Sequence, residues 1–329
     1  MNDKRSSRIH RLSFIVYNYL KLIRPVNLLM ILFTQYMVRF GFLYPIFKYA
    51  GFSLQMNEAL FAVFAFSFVF MAAAGYIIND YYDVQIDKVN KPGKVIIGTL
   101  VEKPAAAKAY WLFNILGIGM GCWASYMAGL PQLGIIFFIY MSGLWYYSSN
   151  LKYQFMLGNL TIAFFLAIVP LTAGIVELYA DVKSPLFANK DINFTFLFYS
   201  IIGISLFAFI STLVREIVKD MEDIHGDRSA GCRTLPIVMG LDAAKKIAQF
   251  LLLVMLFLLG YLQYEQWKLS DWKSLIYISL FMQMPLIYII TKVGSASAPK
   301  DFHKASTWIK ILMVSGISYL FVFAYSCIH

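Results

Sequence analysis

Two groups of acidic residues with the same spacing lie far apart in this 329-residue sequence. Both follow the pattern DxxDxxxD, the first motif at residues 80–87 and the second motif at residues 220–227. A helical residue turns by about 100°, so in a helix this spacing places the acids of each motif on one face. Carboxylate and amide oxygens suit Mg²⁺, which keeps some waters and shares its remaining positions with phosphate oxygens. The candidate Mg²⁺ ligands are Asn79, Asp80, Asp83, Asp87, Asp220, Asp223 and Asp227.

A solvated helix end is the alternative explanation for a single DxxD pattern. Eight of the 18 acidic residues, however, fall into the two short windows 80–87 and 216–227, beside apolar segments. Such clustering favours a binding site, because solvation alone would spread the acids along the chain. Basic side chains interleave with the acids and are candidates for gripping phosphate oxygens, with arginine able to bind two oxygens at once. They are Lys91, Lys94, Arg215, Lys219, Arg228 and Arg233.

The elements that position these motifs are membrane helices. The chain is 60% hydrophobic and only 14% charged, whereas soluble domains average about 25% charged residues, which excludes a soluble enzyme. We predict an all-α, polytopic membrane protein with about nine transmembrane helices, forming one domain over residues 1–329 with a basic N-terminal segment at 1–25. The apolar windows long enough to span a bilayer are residues 26–46, 57–78, 105–127, 131–149, 157–178, 194–214, 243–264, 273–291 and 307–327.

The distribution of positive charge predicts the orientation of these spans. Most Lys and Arg residues lie on the side that carries the N-terminus and both motifs, which is the side expected in the cytoplasm. The net charge is +10, and most of the Lys and Arg residues that produce it lie between the spans. For this reason no nucleic-acid partner is expected. The prediction is a multi-pass protein of the cell inner membrane whose active-site loops are cytoplasmic. Arg39 lies inside the first window, and its head group is expected to snorkel to the opposite interface.

A diphosphate held by metal ions at a bilayer surface, beside an apolar helical bundle, predicts a substrate with a lipid tail. Metal binding would neutralise the departing diphosphate, and aromatic faces would stabilise the allylic cation that develops. An ion-coupled transporter is the alternative from a different class. A transporter would place its acids near the middle of its spans, whereas these lie at span ends beside long loops. The positions therefore favour a transferase.

At its two motifs the chain resembles the intramembrane UbiA-type prenyltransferases. Residues 79–92 match the family signature NDxxDxxxDxxNxP, and the nine windows agree with its helical bundle. Residues 215–236 look most like the branch that prenylates a hydroxyl of geranylgeranylglyceryl phosphate to make ether lipid. Arg24-Pro25 and the stretch 147–159 are supporting matches. After Pro92, two family prolines are missing, and Lys94 keeps the charge of a family arginine without its planar fork.

The resemblance implies a role for each matching residue. It implies Mg²⁺ as cofactor, with Asp80 a further candidate ligand beside the bridging residues Asn79, Asp83, Asp87, Asp220, Asp223 and Asp227. It implies contact with the donor diphosphate or an acceptor phosphate for Lys91, Lys94, Lys152, Arg215 and Lys219. It implies that catalysis involves Asp83, Asp87, Asp223, Asp227 and, near the reacting carbon, Tyr147. The implied partners are a prenyl diphosphate such as geranylgeranyl diphosphate, a lipophilic acceptor and membrane lipid. An aromatic acid of quinone biosynthesis stays open as the acceptor.

Overall fold

The structure is a computed structural model that describes residues 16–90, 93, 95–183 and 193–328. A helical segment at residues 16–23 precedes eleven helices. They are α1 (Pro25–Tyr49), α2 (Glu58–Asn90), α3 (Lys103–Met127), α4 (Gly134–Ser149), α5 (Leu157–Val182), α6 (Phe194–Glu222), α7 (Ile224–Ser229), α8 (Leu235–Val238), α9 (Leu241–Lys268), α10 (Trp272–Ser295) and α11 (Pro299–Ile328).

The all-α prediction is confirmed, since each of the nine apolar windows coincides with a helix of at least 16 residues. Within the described ranges, seven helices are long and apolar enough to cross a membrane. The other two are α3, whose apolar stretch is interrupted by Asn114 and three glycines, and α4, whose 16 residues rise only about 24 Å. The protein is a multi-pass integral membrane protein.

Local sequence sets where several of these helices begin. Proline occupies the first turn of α1 and α3, where its missing N–H leaves no intrahelical hydrogen bond unmade. The side chains of Asn193 and Asp271 cap α6 and α10 by accepting backbone N–H groups of Phe196 and Ser274. Between such ends the apolar runs leave no stable alternative to helix in a lipid environment.

The bundle has two packed halves. One core is built mainly by helices α2 to α5, and the other by α6 and α9 to α11. Helices α5 and α6 pack against each other and join the halves. Large apolar side chains such as Phe257 and Tyr199 are exposed on the outside, as expected of a surface that faces lipid.

The expectation that Arg39 snorkels to water is wrong. Its side chain is only 2% exposed and lies in a π-helical turn of α1, Met37–Leu43. The guanidinium donates to the buried carboxylate of Glu177, to the Met56 carbonyl at 2.6 Å and to Glu58 at 3.2 Å. A buried charge stays charged when it is paired inside the protein, and Glu177, 138 residues away, supplies that pair.

Candidate active site

The first motif lies on the last turns of α2, which continues as one helix to Asn90. Asp83 accepts hydrogen bonds at both oxygens, from Lys152 Nζ at 2.6 Å and from Asn79 Nδ2 at 2.8 Å. Asp80 pairs with Arg24 at 2.5 Å. The acids of this motif therefore share one helical end, as the spacing predicts, and two of them are bound to cations from other elements.

Arg24 reaches Asp80 from a strained backbone position. Its φ of 54° is in the left-handed region, and its guanidinium lies 4.9 Å from the centre of the Tyr76 ring. Burial disfavours the charged guanidinium, but the carboxylates of Asp80, Asp87 and Asp83 outweigh that effect and raise the pKa of Arg24. Strain of this kind persists only where surrounding contacts hold it, and it often marks a functional site.

The second motif begins on the last turns of α6 and continues beyond its end. Asp220 lies in α6, Asp223 stands at the junction, and Asp227 lies in the short helix α7. The expected single helical stripe is therefore wrong, because the chain leaves helical geometry at Asp223 (φ −92°, ψ 8°) before α7 starts. A turn follows in which Gly231 adopts φ +73° and the Cys232 N–H bonds the Asp227 carbonyl at 2.9 Å.

The segment that we call the bridging loop, residues 150–159, consists of the α4–α5 connection and the first turn of α5, and it connects the two motifs. Lys152 bonds Asp83 of the first motif, and Asn159 Nδ2 donates to Asp220 of the second motif at 2.8 Å. Gly158 allows the loop to fold tightly, since a Cβ atom at that position would lie 2.8 Å from the Lys152 Cα. Helices α2 and α7 are in contact, so both motifs lie at the same end of the bundle, here called the motif end.

Two further side chains lie between the motifs. Tyr147, on the last turn of α4, is close enough to Asp83 and Asp220 to interact electrostatically with both. Cys232 interacts with Asp83, Asp220 and Asp227, and burial raises the pKa of its thiol to about 11. Both side chains are therefore near carboxylates of both motifs, and Cys232 is buried there.

A cavity of about 840 Å³ opens beside the motifs and runs down the bundle. Its polar end is formed by Asn27, Tyr76, Arg215 and Lys310. Farther from the motif end it is lined mostly by apolar side chains, which include Met30, Ile31, Leu166, Val169, Ile204, Ala208, Met313 and Ile317. Such a volume accepts a molecule with a polar head and a long apolar tail.

Cations at the polar end of the cavity surround one carboxylate. Glu216 accepts from Arg215 at 2.8 Å and from Lys219 at 3.4 Å. Lys310 and Arg24 also interact electrostatically with Glu216. We call Arg24, Arg215, Lys219, Lys310 and Glu216 the cation cluster. Its positive charges exceed the charge of its own carboxylate, which is the condition for binding an anion.

Comparison with known proteins decides the family. The UbiA prenyltransferase family profile matches residues 49–309. The chain belongs to the UbiA prenyltransferase family. It is 32% identical over 254 residues to digeranylgeranylglyceryl phosphate synthase of Saccharolobus solfataricus, a match that covers 75% of this chain and 78% of the relative. The resemblance drawn from the two motifs is confirmed, and so is the prediction of a prenyltransferase.

Solved structures support the same fold for this UbiA enzyme. One comes from work on digeranylgeranylglyceryl phosphate synthase in membranes, with 25% identity, a TM-score of 0.63 and coverage of 95% of this chain and 99% of that one. A UbiA homologue from Archaeoglobus fulgidus, bound to DMAPP and Mg²⁺, has 17% identity and a TM-score of 0.55, and the match covers 94% and 99% of the two chains. At that identity the second likeness shows the fold alone.

The structure of this UbiA enzyme brings most of the candidate site residues to the motif end. Lys91 and Lys94 lie outside the described residues. The roles of the others stay predictions, although their positions are now known. The residues placed at the motif end are Asn79, Asp80, Asp83, Asp87, Tyr147, Lys152, Arg215, Lys219, Asp220, Asp223 and Asp227.

The structure adds three residues to this set. The sequence motifs alone assign no site role to any of them. Arg24 and Asn159 are visible in the sequence only as supporting family matches, and each bonds a motif carboxylate. Lys310 lies in the last apolar window of the sequence and lines the cavity. Placing a charged residue within a membrane span costs free energy, so its presence there could have indicated a functional role. No spacing rule connects it with either motif.

The donor set fits Mg²⁺ by its chemistry, because it consists of carboxylate and amide oxygens. Among the described residues, no three Asp, Glu, His or Cys side chains are gathered closely enough to hold a metal ion by themselves. Asp83 and Asp220 instead bond Lys152 and Asn159. A substrate phosphate would therefore have to supply some of the ligands, as Mg²⁺ sites of this kind often require.

Proposed function

We propose that this prenyltransferase transfers a geranylgeranyl group from its diphosphate to geranylgeranylglyceryl phosphate, with Mg²⁺ as cofactor. The observation that carries the proposal is the cation cluster at the head of a long apolar cavity, next to two oxygen-rich motifs. A donor diphosphate and an acceptor phosphate are both anions with apolar tails. The similarity to digeranylgeranylglyceryl phosphate synthases across most of the chain supports this choice.

The motif residues would hold the metal and the donor diphosphate. Their proposed ligands are Asn79, Asp80, Asp83, Asp87, Asp220, Asp223 and Asp227. When bound, Mg²⁺ supplies positive charge that stabilises the leaving diphosphate. Lys152 and Asn159, which hold Asp83 and Asp220 at 2.6 and 2.8 Å, orient these carboxylates and are placed to donate to phosphate oxygens. Lys91 and Lys94, which follow the first motif in the sequence, are proposed to contact the same phosphates.

The reaction itself exchanges one carbon–oxygen bond for another. The bond between the donor C1 and its diphosphate oxygen breaks, and the acceptor hydroxyl oxygen bonds C1 and releases its proton. Tyr147, which lies between the two motifs, presents an aromatic ring to the carbon on which positive charge develops. The apolar walls of the cavity exclude water, which would otherwise capture this carbon.

The motif end is proposed to face the cytoplasm, since most Lys and Arg residues outside the spans lie on that side. The membrane is proposed to be the cell inner membrane. In this orientation, the diphosphate product is released into the cytoplasm. The phosphate head groups of the donor and the acceptor reach the site from the same side. The donor and acceptor tails stay within the bilayer.

The test is a donor and acceptor panel with the purified protein in lipid nanodiscs. Dimethylallyl, geranyl, farnesyl and geranylgeranyl diphosphates are each combined with geranylgeranylglyceryl phosphate, 4-hydroxybenzoate or a dihydroxynaphthoate. Product formation from geranylgeranyl diphosphate and geranylgeranylglyceryl phosphate, abolished by EDTA and restored by Mg²⁺, is expected. Turnover only with an aromatic acid would overturn the acceptor assignment and leave the donor site in place.

An Asp223→Ala variant tests the metal-site assignment in the same assay. We expect its turnover to fall by orders of magnitude while the yield of folded protein stays unchanged, because Asp223 is only partly buried and lies at the junction of α6 and α7, outside both helices. Full turnover by this variant would remove Asp223 from the proposed ligand set.

A further inference from the structure

Lys310 is the member of the cation cluster that lies on helix α11. It lies in the fourth turn of α11, is partly buried, and borders the polar end of the cavity together with Arg215. The charged groups that face it are Arg215, Lys219, Arg24 and Glu216. Lysine at such a position is costly, because its ammonium group loses water and meets three other cations.

The members of the cation cluster differ in the carboxylates that balance them. Asp80, Asp83 and Asp87 of the first motif act on Arg24, and Asp220 of the second motif interacts with Lys219. Arg215 and Lys310 share the Glu216 carboxylate with them. Arg215 Nε is buried and makes no hydrogen bond among the described residues. A phosphate group would accept that hydrogen, and arginine binds phosphate through two parallel hydrogen bonds.

Arg215 and Lys310 face a different direction from the second-motif carboxylate Asp220. Arg215 and Asp220 are five residues apart on α6, so their side chains project about 140° apart around the helix axis. Asp220 turns toward Asn159 of the bridging loop, whereas Arg215 turns toward the cavity and Lys310. The two anionic head groups of the reaction can therefore bind to different sets of side chains.

We propose that Lys310 and Arg215 bind the phosphate group of the acceptor and thereby select a phosphorylated glyceryl lipid over its dephosphorylated form. This inference rests on the proposed function, since it assumes an acceptor that carries a phosphate. It assigns Lys310 a specificity role and leaves the donor diphosphate to the motif residues and Lys152.

The experiment compares two acceptors, geranylgeranylglyceryl phosphate and geranylgeranylglycerol, at saturating donor. The variant is Lys310→Met, and the matched control is Lys304→Met on the exposed face of the same helix. The ratio of kcat/KM for the two acceptors is expected to fall roughly tenfold to a hundredfold in Lys310→Met, as the loss of a charge-assisted hydrogen bond predicts. The donor KM and the Lys304→Met ratio should equal those of the wild type. Lys310→Arg should keep most of the preference.

Two results would overturn the inference. One is an unchanged acceptor ratio in folded Lys310→Met. The other is a raised donor KM with equal loss for both acceptors, which would place the donor diphosphate at the cluster. If Lys310→Met does not fold, Lys310→Gln and Lys310→Arg carry the same comparison. If the wild type does not use the phosphorylated acceptor at all, the proposed function itself fails, a result that differs from both.

Discussion

Both ends of the helical bundle bury charged side chains, but they balance those charges differently. At the motif end, the cation cluster has more positive charges than carboxylates and borders a cavity. At the opposite end, Arg39 is enclosed by Glu177, Glu58 and the Met56 carbonyl. Neither Arg39 nor Glu177 is among the described residues that line the cavity.

This difference separates a binding site from an internal brace. Arg39 is paired with acceptors inside the protein, although its Nε, like that of Arg215, makes no hydrogen bond among the described residues. What distinguishes the cation cluster is that Arg215 and Lys310 border a volume that a substrate can enter. A buried ion pair by itself is therefore no sign of function in this fold, whereas excess charge beside a cavity is.

The largest effect should come from breaking the motif end. Asp83→Asn removes the negative charge that bonds Lys152 and that we propose as a metal ligand, and we expect turnover to fall by about a thousandfold or more. The measurement is single-turnover prenyl transfer at equal amounts of folded protein. Asp242→Asn, whose carboxylate is 92% exposed at the same end, should retain full turnover. Equal turnover in the two variants would contradict the comparison.

The opposite end should respond in stability and not in catalysis. Glu177→Leu leaves Arg39 buried without its closest partner and should cost about 3–5 kcal/mol of unfolding free energy. The double variant Arg39→Met/Glu177→Leu should recover most of that loss, because no unpaired charge is left. Reversible unfolding in mixed micelles measures both values. If the folded fraction of Glu177→Leu lost turnover per molecule, the brace interpretation would be wrong.

The smallest of the three expected effects is the loss of turnover when the hydrogen bond between the bridging loop and the second motif is removed. Asn159→Ala removes the hydrogen bond to Asp220, a bond to a charged group that contributes about 1.5–3 kcal/mol. We expect turnover per folded molecule to fall roughly tenfold to a hundredfold. Asn114→Ala is the control, since that buried amide donates to the Tyr110 carbonyl of its own helix at 2.9 Å. A large loss of stability with unaltered turnover would mean that Asn159 serves packing alone.

The helices could be predicted from sequence because a lipid environment leaves apolar segments one stable conformation. That both motifs lie at the same end of the bundle could also be predicted, by counting the membrane spans between them. The contacts that complete the site could not be predicted in this way. Asn159 and Asp220 are 61 residues apart, and Arg39 and Glu177 are 138 apart. Only packing of the whole bundle brings them together, and no periodic pattern records it.

Local geometry also went beyond sequence reasoning at two places. Arg39 lies in the π-helical turn of α1, and its side chain is buried. No residue type in Met37–Leu43 predicts a π-helical turn at this position. The end of α6 at Glu222 interrupts a spacing that fits one continuous helix. In both cases helical periodicity predicts the helix correctly. It does not predict the single residue at which the backbone departs from α-helical geometry.

Helix α6 is a single rod of 29 residues, about 44 Å long, that begins at Phe194 and carries Arg215, Glu216 and Asp220 near its other end. Ala208, midway along it, lines the cavity. A guest that pushes on the middle of the rod displaces both charged sets at its tip. Mutations on α6 that resize the cavity will therefore also perturb the chemistry, and the same holds for α11, which carries Lys310. Engineers who seek new tails should begin on α9, which lines the cavity with Met255 and Leu259 and carries no member of either charged set.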